Sequence, residues 1–377
     1  MGATPASPPP PTPPTPPPPL AERHAELSIA TFNCGLMQFK LFGKTKIPYI
    51  SEVFENPPNV DARRANMFDV IAKKIREHDV DVVAFQEVWH ATADLAAVLS
   101  DRLGFYIFPC PQWGLMLASK YKIVATDKQK MKVVMPIETV LGRLGAMGRG
   151  VQGIRVQVDA PPGVDTPYYF ADVFNTHITS GGVLDLEGSG SLTREIKKTQ
   201  TMQAVAFARS CRHLWDGEAP ERIAAGSFLL GDFNATVEEL TMALPGTICP
   251  WYHKENREKT SRQVANIVST LDVWLHNAGN ANPHALSSWD SRNALVSNGF
   301  YEHASSQTHR PSHVFMIPTL ADKAACRCPH LDCCNLHSIP RYERCTDAKI
   351  EKMLLQISPE AAASDHYAIL TKQRFVF

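Results

Sequence analysis

Val80-Asp81-Val82-Val83-Ala84-Phe85-Gln86-Glu87 is a compact apolar run that stops abruptly at two polar residues. A short apolar run bounded this way reads as a buried strand over 80–85. The same form recurs along the chain. Residues 27–32, Leu27-Ser28-Ile29-Ala30-Thr31-Phe32, run into Asn33. Residues 168–174 end at Asn175-Thr176-His177, and 227–230 end at Gly231-Asp232-Phe233-Asn234. A last strand, 367–370, is entered through Ser364-Asp365-His366. Strands packed side by side bring their ends to one edge of a sheet, so these distant clusters are expected to converge on one cleft.

Between these strands the period changes. Met67, Ile71 and Ile75 recur every four residues, with Arg63, Lys73, Lys74 and Arg76 on the other side, which predicts an amphipathic helix over 61–78. A second helix is expected over 193–214, with Met202, Val205 and Ala206 on one side. Residues 115–118 and 123–125 look like arms of a hairpin around Ser119-Lys120-Tyr121. Residues 151–158 alternate like a half-buried strand, and 313–317 form a late one. Helices and strands mixed throughout predict an α/β protein with sheets covered by helices.

The chain has 377 residues, 44% hydrophobic and 20% charged, with zero formal net charge. That suits a globular protein, and the missing basic excess counts mildly against a nucleic-acid substrate. No run reaches the roughly 18–20 apolar residues of a membrane-spanning helix. The N-terminal residues show no secretory signal, so any membrane contact is expected to be peripheral. Nine cysteines, an odd number, favour a reducing compartment. The expected location is cytoplasmic or peripheral to a membrane. Prolines dominate residues 1–25, which are expected to form a disordered tail. Residues 5–19 are either a spacer or a ligand for a proline-recognising domain. Residues 26–377 are expected to form one catalytic domain.

The strand-end clusters suit phosphate ester hydrolysis. That reaction needs charge neutralised on the non-bridging oxygens, a water stripped of a proton, and a stabilised leaving oxygen. Mg²⁺ serves the first and third needs and is usually held by one or two carboxylates. Glu87 is the best metal ligand in the sequence, with Asn33 beside it as an amide oxygen ligand or a hydrogen-bond partner. His366 and His177 are candidates for the base, being the side chains that titrate nearest neutrality. Asp232 and Asn234 suit orienting the water and holding a phosphoryl oxygen. Each cluster alone could be an ordinary turn or a solvated strand end. Their joint occurrence at successive strand ends is what carries the reading.

These stretches resemble the endonuclease/exonuclease/phosphatase superfamily. The matching segments are Ala30-Thr31-Phe32-Asn33, Phe85-Gln86-Glu87-Val88-Trp89, Gly114-Leu115 through Ser119-Lys120-Tyr121-Lys122-Ile123, Asn175-Thr176-His177, Gly231-Asp232-Phe233-Asn234-Ala235 and Ser364-Asp365-His366. The resemblance implies a deoxyribonuclease-like fold, a four-layer sandwich of two stacked mixed β-sheets flanked by helices. It implies Mg²⁺ on Glu87 with Asn33 nearby, and His366 as general base, which draws Asp365 beside it into the site. It makes His177 and Asn234 phosphate contacts and Asp232 an orienting carboxylate. Trp89, the Arg149-Gly150-Val151 step and Ser288-Trp289-Asp290 with Asn293 are similar to the neutral sphingomyelinase branch. Lys197 and Gln200 fit a wider superfamily pattern. A phospholipid substrate follows from that branch, with a nuclease of the same fold as the first alternative. A weakly active homologue that binds partners through its proline-rich tail is the second. In one respect the chain departs from the family. Ser312, in Arg310-Pro311-Ser312-His313-Val314-Phe315, stands where the family carries a histidine-orienting aspartate.

A segment near 319–350 is longer than the resemblance requires. It holds Cys326, Cys328, Cys333, Cys334 and Cys345, with His330 and His337. Four soft ligands could hold a structural Zn²⁺, but the spacing fits disulfides or free thiols as well.

Overall fold

The computed structural model describes residues 24–36, 60–134, 148–160, 167–179, 190–217, 224–234, 271–272, 312–316, 350–353, 356–358, 361–362 and 368–376. The proline-rich tail, Ser288-Trp289-Asp290, the cysteines from Cys326 to Cys345, and Asp365 and His366 lie outside the described residues.

In chain order the elements are β1 (His24–Asn33), α1 (Val60–Glu77), β2 (Val82–Gln86), α2 (Thr92–Leu103), β3 (Tyr106–Cys110), β4 (Leu115–Ser119), β5 (Lys122–Lys130), β6 (Gly150–Asp159) and β7 (Tyr168–His177). There follow α3 (Gly190–Asp216), β8 (Ala224–Asp232), β9 (Leu271–Asp272), β10 (Ser312–Met316), β11 (Ile350–Met353), β12 (Gln356–Ser358), β13 (Ala361–Ala362) and β14 (Ala368–Val376). Among the described residues these strands form, besides a separate β12-β13 pair, two six-stranded sheets. One has the order β11-β14-β1-β2-β4-β3, the other β5-β6-β7-β8-β10-β9.

Side-chain alternation along the strands builds four layers. Leu27 and Ile29 of β1, with Val82 and Ala84 of β2, meet Ile154, Val173 and Phe228 of the other sheet in a buried cluster between the sheets. The alternate residues, Ala30, Phe32, Val83 and Phe85, face outward onto Met67, Ile71 and Ile75 of α1 and Leu95 and Leu99 of α2. On the far side, Val151, Phe174 and Leu229 pack against Ala204, Val205, Ala208 and Cys211 of α3. The sandwich expected from sequence is therefore the observed one.

Two local expectations change. Residues 115–118 and 123–125 are strands but not arms of one hairpin. β4 pairs with β2 and β3, whereas β5 pairs with β6 in the opposite sheet. The chain changes layer at Lys120-Tyr121. Asp81 fixes the crossing, because its carbonyl accepts from Lys120 N and its carboxylate accepts from Ser28 N, each at 2.8 Å. On α3, Val205 is buried but Met202 is 44% exposed and Ala206 is exposed. The buried stripe runs through Gln200, Thr201, Ala204, Ala208 and Cys211, so Val205 lies on its flank rather than at its centre. The last strand is also longer than expected and continues to Val376.

Among the described residues, each six-stranded sheet has one parallel pair. β1 runs parallel to β2, with Asn33 opposite Gln86, and β7 runs parallel to β8, with His177 opposite Asp232. Parallel neighbours present the same ends to the same edge, so four carboxyl ends lie together across the sandwich.

Candidate active site

Each site residue leaves its strand through a local backbone device. The β1–β2 pairing continues past the strands through Cys34 N to Gln86 O at 2.9 Å and Leu36 N to Glu87 O at 3.0 Å. Glu87 itself sits at φ 54. This left-handed turn ends β2 and leads into a short 3-10 turn, Trp89–Ala91. Trp89 is buried over Gly114, where a Cβ would lie 2.6 Å from the indole. At the end of β8, Asn234 sits at φ 46, a region that asparagine tolerates better than most residues. Its N–H donates to Asp232 Oδ1 at 2.9 Å, closing a small Asx turn.

These turns bring Asn33, Glu87, His177, Asp232 and Asn234 together. The Asn33 amide nitrogen donates to Asp232 Oδ2 at 2.7 Å and to Glu87 Oε1 at 3.1 Å. One amide therefore joins two carboxylates from opposite sheets. The Asn33 oxygen faces the other way and accepts from Gly35 N at 2.9 Å. His177 Nε2 lies 3.6 Å from Glu87 Oε1 and 4.0 Å from Asp232 Oδ2. Asn234 Nδ2 is 3.1 Å from the same ring nitrogen and donates to Ile178 O at 2.9 Å. Asp232 and Asn33 are almost fully buried, whereas the Glu87 side chain is 17% exposed, so Glu87 is the carboxylate that reaches solvent. Its charge is felt nearby. Burial pushes the Cys34 thiol well above its ordinary pKa, Glu87 pushes it further, and Arg63 opposes both.

A supporting shell holds these groups. Gln86 donates to Asn175 Oδ1 at 2.7 Å, and Asn175 donates to Phe85 O at 2.8 Å, so an amide pair locks β2 to β7 across the core. Lys197 of α3 donates to the carbonyl of Asn234 at 2.6 Å. Gln200 accepts from Thr179 N and donates to Val133 O, both at 2.9 Å. Lys197 and Gln200 thus hold the loops after β8 and β7, which gives the sequence pattern a physical role. Two contributors carried no assigned role in the sequence. Asn175 looked like part of a turn but is wholly buried, and Arg149, at 4% exposure, places Nη1 2.8 Å from His177 Nδ1. The signal for both was a polar residue inside, or directly before, an apolar strand.

Ser312 pairs with Asp232 in the β10–β8 register, so its backbone stands beside the site. Ile369 of β14 pairs with Thr31, so the chain enters β14 at the edge where Asn33 lies. Among the described residues no group of three His, Cys, Asp or Glu side chains forms a metal cage. Mg²⁺ needs less, since one or two carboxylates suffice with water and substrate oxygens. Glu87 and Asp232 are hard oxygen donors bridged by a neutral amide, and this donor set fits such an ion.

The comparisons bear on the fold and the family. A model of the Endonuclease/Exonuclease/phosphatase family matches residues 30–282, more than half of the chain. The structure of SmcL matches with a TM-score of 0.55 at 14% identity, covering 92% of this chain and 99% of that one. A Staphylococcus aureus beta toxin mutant with bound magnesium ions matches at 0.52 and 15%, covering 93% and 100%. D. rerio TDP2 complexed with a single-strand DNA product matches at 0.52 and 14%, covering 92% and 98%. At these identities the three structures speak for the fold. No curated protein matches the chain. The double sheet, the carboxylates joined across it and the family match over residues 30–282 together establish that the chain belongs to the endonuclease/exonuclease/phosphatase family of metal-dependent phosphoric diester hydrolases.

Proposed function

We propose that this enzyme hydrolyses a phospholipid head-group ester, in the manner of a sphingomyelinase C. The observation that carries the site reading is the Glu87–Asn33–Asp232 bridge with His177 set 3.6 Å from Glu87. Glu87 is the residue to hold Mg²⁺, with Asn33 and Asp232 beside it. The ion, when bound, neutralises charge on the phosphoryl oxygens and stabilises the leaving oxygen. His366 takes the proton from the attacking water, and Asp365 precedes it at the entry to β14. Asp232 orients the water or the leaving group. His177 and Asn234 hold non-bridging oxygens through hydrogen bonds that strengthen as charge develops. The water oxygen bonds to phosphorus as the ester bond breaks, the leaving oxygen takes up a proton from solvent, and the products are an alcohol and a phosphorylated head group. The lipid assignment is supported by the Gln86-Glu87-Val88-Trp89 stretch, which resembles the neutral sphingomyelinase branch, and by zero net charge, which suits a compact head group better than a duplex.

A Mg²⁺-dependent hydrolysis panel tests the reading, with sphingomyelin, lysophospholipids, plasmid DNA, abasic-site DNA and inositol phosphates. Release of a phosphorylated head group from lipid is expected. Cleavage of DNA without lipid would replace this reading with the nuclease one, which the likeness to TDP2 with its DNA product favours. Glu87→Gln is expected to lower kcat about 100-fold or more, as loss of a main electrostatic stabiliser does. Full activity in Glu87→Gln would remove it from the metal site.

A further inference from the structure

Arg149 stands directly before β6, and the structure pins it in place. Met131 N donates to its carbonyl at 2.9 Å, and the β6–β7 register pairs Val151 with Thr176, so Arg149 and His177 share one strand edge. Thr176 Oγ1 closes the same edge by donating to Gly150 O at 3.0 Å. Both side chains are buried, Arg149 at 4% and His177 at 3% exposure, and Arg149 Nη1 lies 2.8 Å from His177 Nδ1.

A guanidinium offers only N–H donors. At that distance the contact is favourable when Nδ1 carries a lone pair, which places the proton of the neutral ring on Nε2. The opposite tautomer would set an N–H against the guanidinium hydrogens. Among the described residues, acceptors near Nε2 include Glu87 Oε1 at 3.6 Å and Asp232 Oδ2 at 4.0 Å. One neighbour argues otherwise. Asn234 Nδ2, at 3.1 Å from Nε2, is also a donor. A neutral imidazole accepts at one nitrogen only, so the two donors compete. A charge-assisted hydrogen bond is about twice as strong as a neutral one, so Arg149, at the shorter distance, prevails.

We propose that Arg149 is a positioning residue for His177, fixing the imidazole as the Nε2–H tautomer so that the ring presents a donor, not a base, to a phosphoryl oxygen. The proposal rests on the reading of His177 as a phosphate contact. It also divides the work between the two histidines, leaving proton abstraction to His366.

Nitrogen-15 NMR of the full chain, labelled at histidine, reads which ring nitrogen carries the proton. His177→Asn assigns the His177 signals among the 14 histidines. A pyrrole-like Nε2 with a pyridine-like Nδ1 is expected. The reverse pattern in the wild-type chain overturns the proposal, whatever ester the enzyme proves to cleave. Arg149→Met is expected to mix the tautomers and lower kcat about 10- to 100-fold with a smaller change in KM, the usual scale for losing a supporting partner. Arg149→Lys, still only a donor, should restore the Nε2–H tautomer and most of kcat. Unchanged tautomer and kcat in Arg149→Met would also overturn the proposal.

Discussion

At Gly231 the chain passes so close to Thr176 that a Cβ would lie 2.1 Å from the Thr176 carbonyl oxygen, at φ 151. No side chain fits there without moving β8 away from β7. Gly231→Ala is therefore expected to lower stability by about 1–3 kcal/mol, the usual range for overpacking, and to lower activity as well. Urea unfolding and initial rates measure the two effects. A variant with wild-type stability would show that the strand pair tolerates the shift. Glu87 at φ 54 and Asn234 at φ 46 add strain of a different kind. Each costs on the order of 1 kcal/mol and persists because its neighbours hold it. The sequence marked Gly231-Asp232-Phe233-Asn234 as a turn bearing chemistry. That the glycine serves close approach to Thr176 was not legible, because it depends on which strand lies beside β8.

Among the elements, α3 is tied down at its end by charge. Arg155 of β6 donates to Asp172 of β7 through Nε at 2.6 Å and Nη2 at 2.8 Å, and to Asp216 at the end of α3 at 2.6 Å. Ser227 of β8 donates to Asp172 at 3.0 Å. Burial pushes the Asp172 carboxyl up, and the guanidinium of Arg155 opposes that. Asp172→Asn leaves Arg155 buried without its main partner and is expected to cost about 3 kcal/mol, the lower end for breaking a buried pair. Activity at temperatures where the variant stays folded should be little changed, because this network lies away from the strand ends. A fall in midpoint denaturant concentration at constant m-value checks the first part. The elements themselves were largely legible: nine of the strands and two of the helices follow from apolar runs and their period, whereas α2 was not read. The pairing of β4 and β5 was not. They are neighbours in sequence, but β5 carries Lys122, Asp127, Lys128 and Lys130, an edge strand whose charges say only that it meets solvent. The α3 face was misjudged for a related reason. Gln200 and Thr201 are buried by hydrogen bonding, and a hydrophobic stripe does not register them. Likewise Arg149 gave no sign of its partner, since the contact joins the entry of β6 to the end of β7.

At the scale of the whole molecule, the second sheet is built from one continuous stretch, β5 to β10, inserted into the first. The first sheet combines β1 to β4 with β11 and β14, so β1 is flanked by β2 and by the late strand β14. Deleting residues 368–377 would strip β1 of a partner along eight paired positions, His24 to Thr31, and uncover an apolar strand edge. Such a chain is expected to be insoluble or to lack a cooperative melting transition, as read by circular dichroism. A folded, active truncation would show that β14 is dispensable. The pairing of His24 with Val376 also sets an order of events during synthesis. Asn33 is made early, yet the strand beside it leaves the ribosome only after everything between them has been translated. A nascent chain can complete the inserted sheet, including His177 and Asp232, while the sheet that carries Asn33 and Glu87 still waits for its last strand. Catalytic competence is thus late in timing, reached only once β14 has left the ribosome and paired with β1, and the cell meets a half-assembled sandwich before it meets an enzyme.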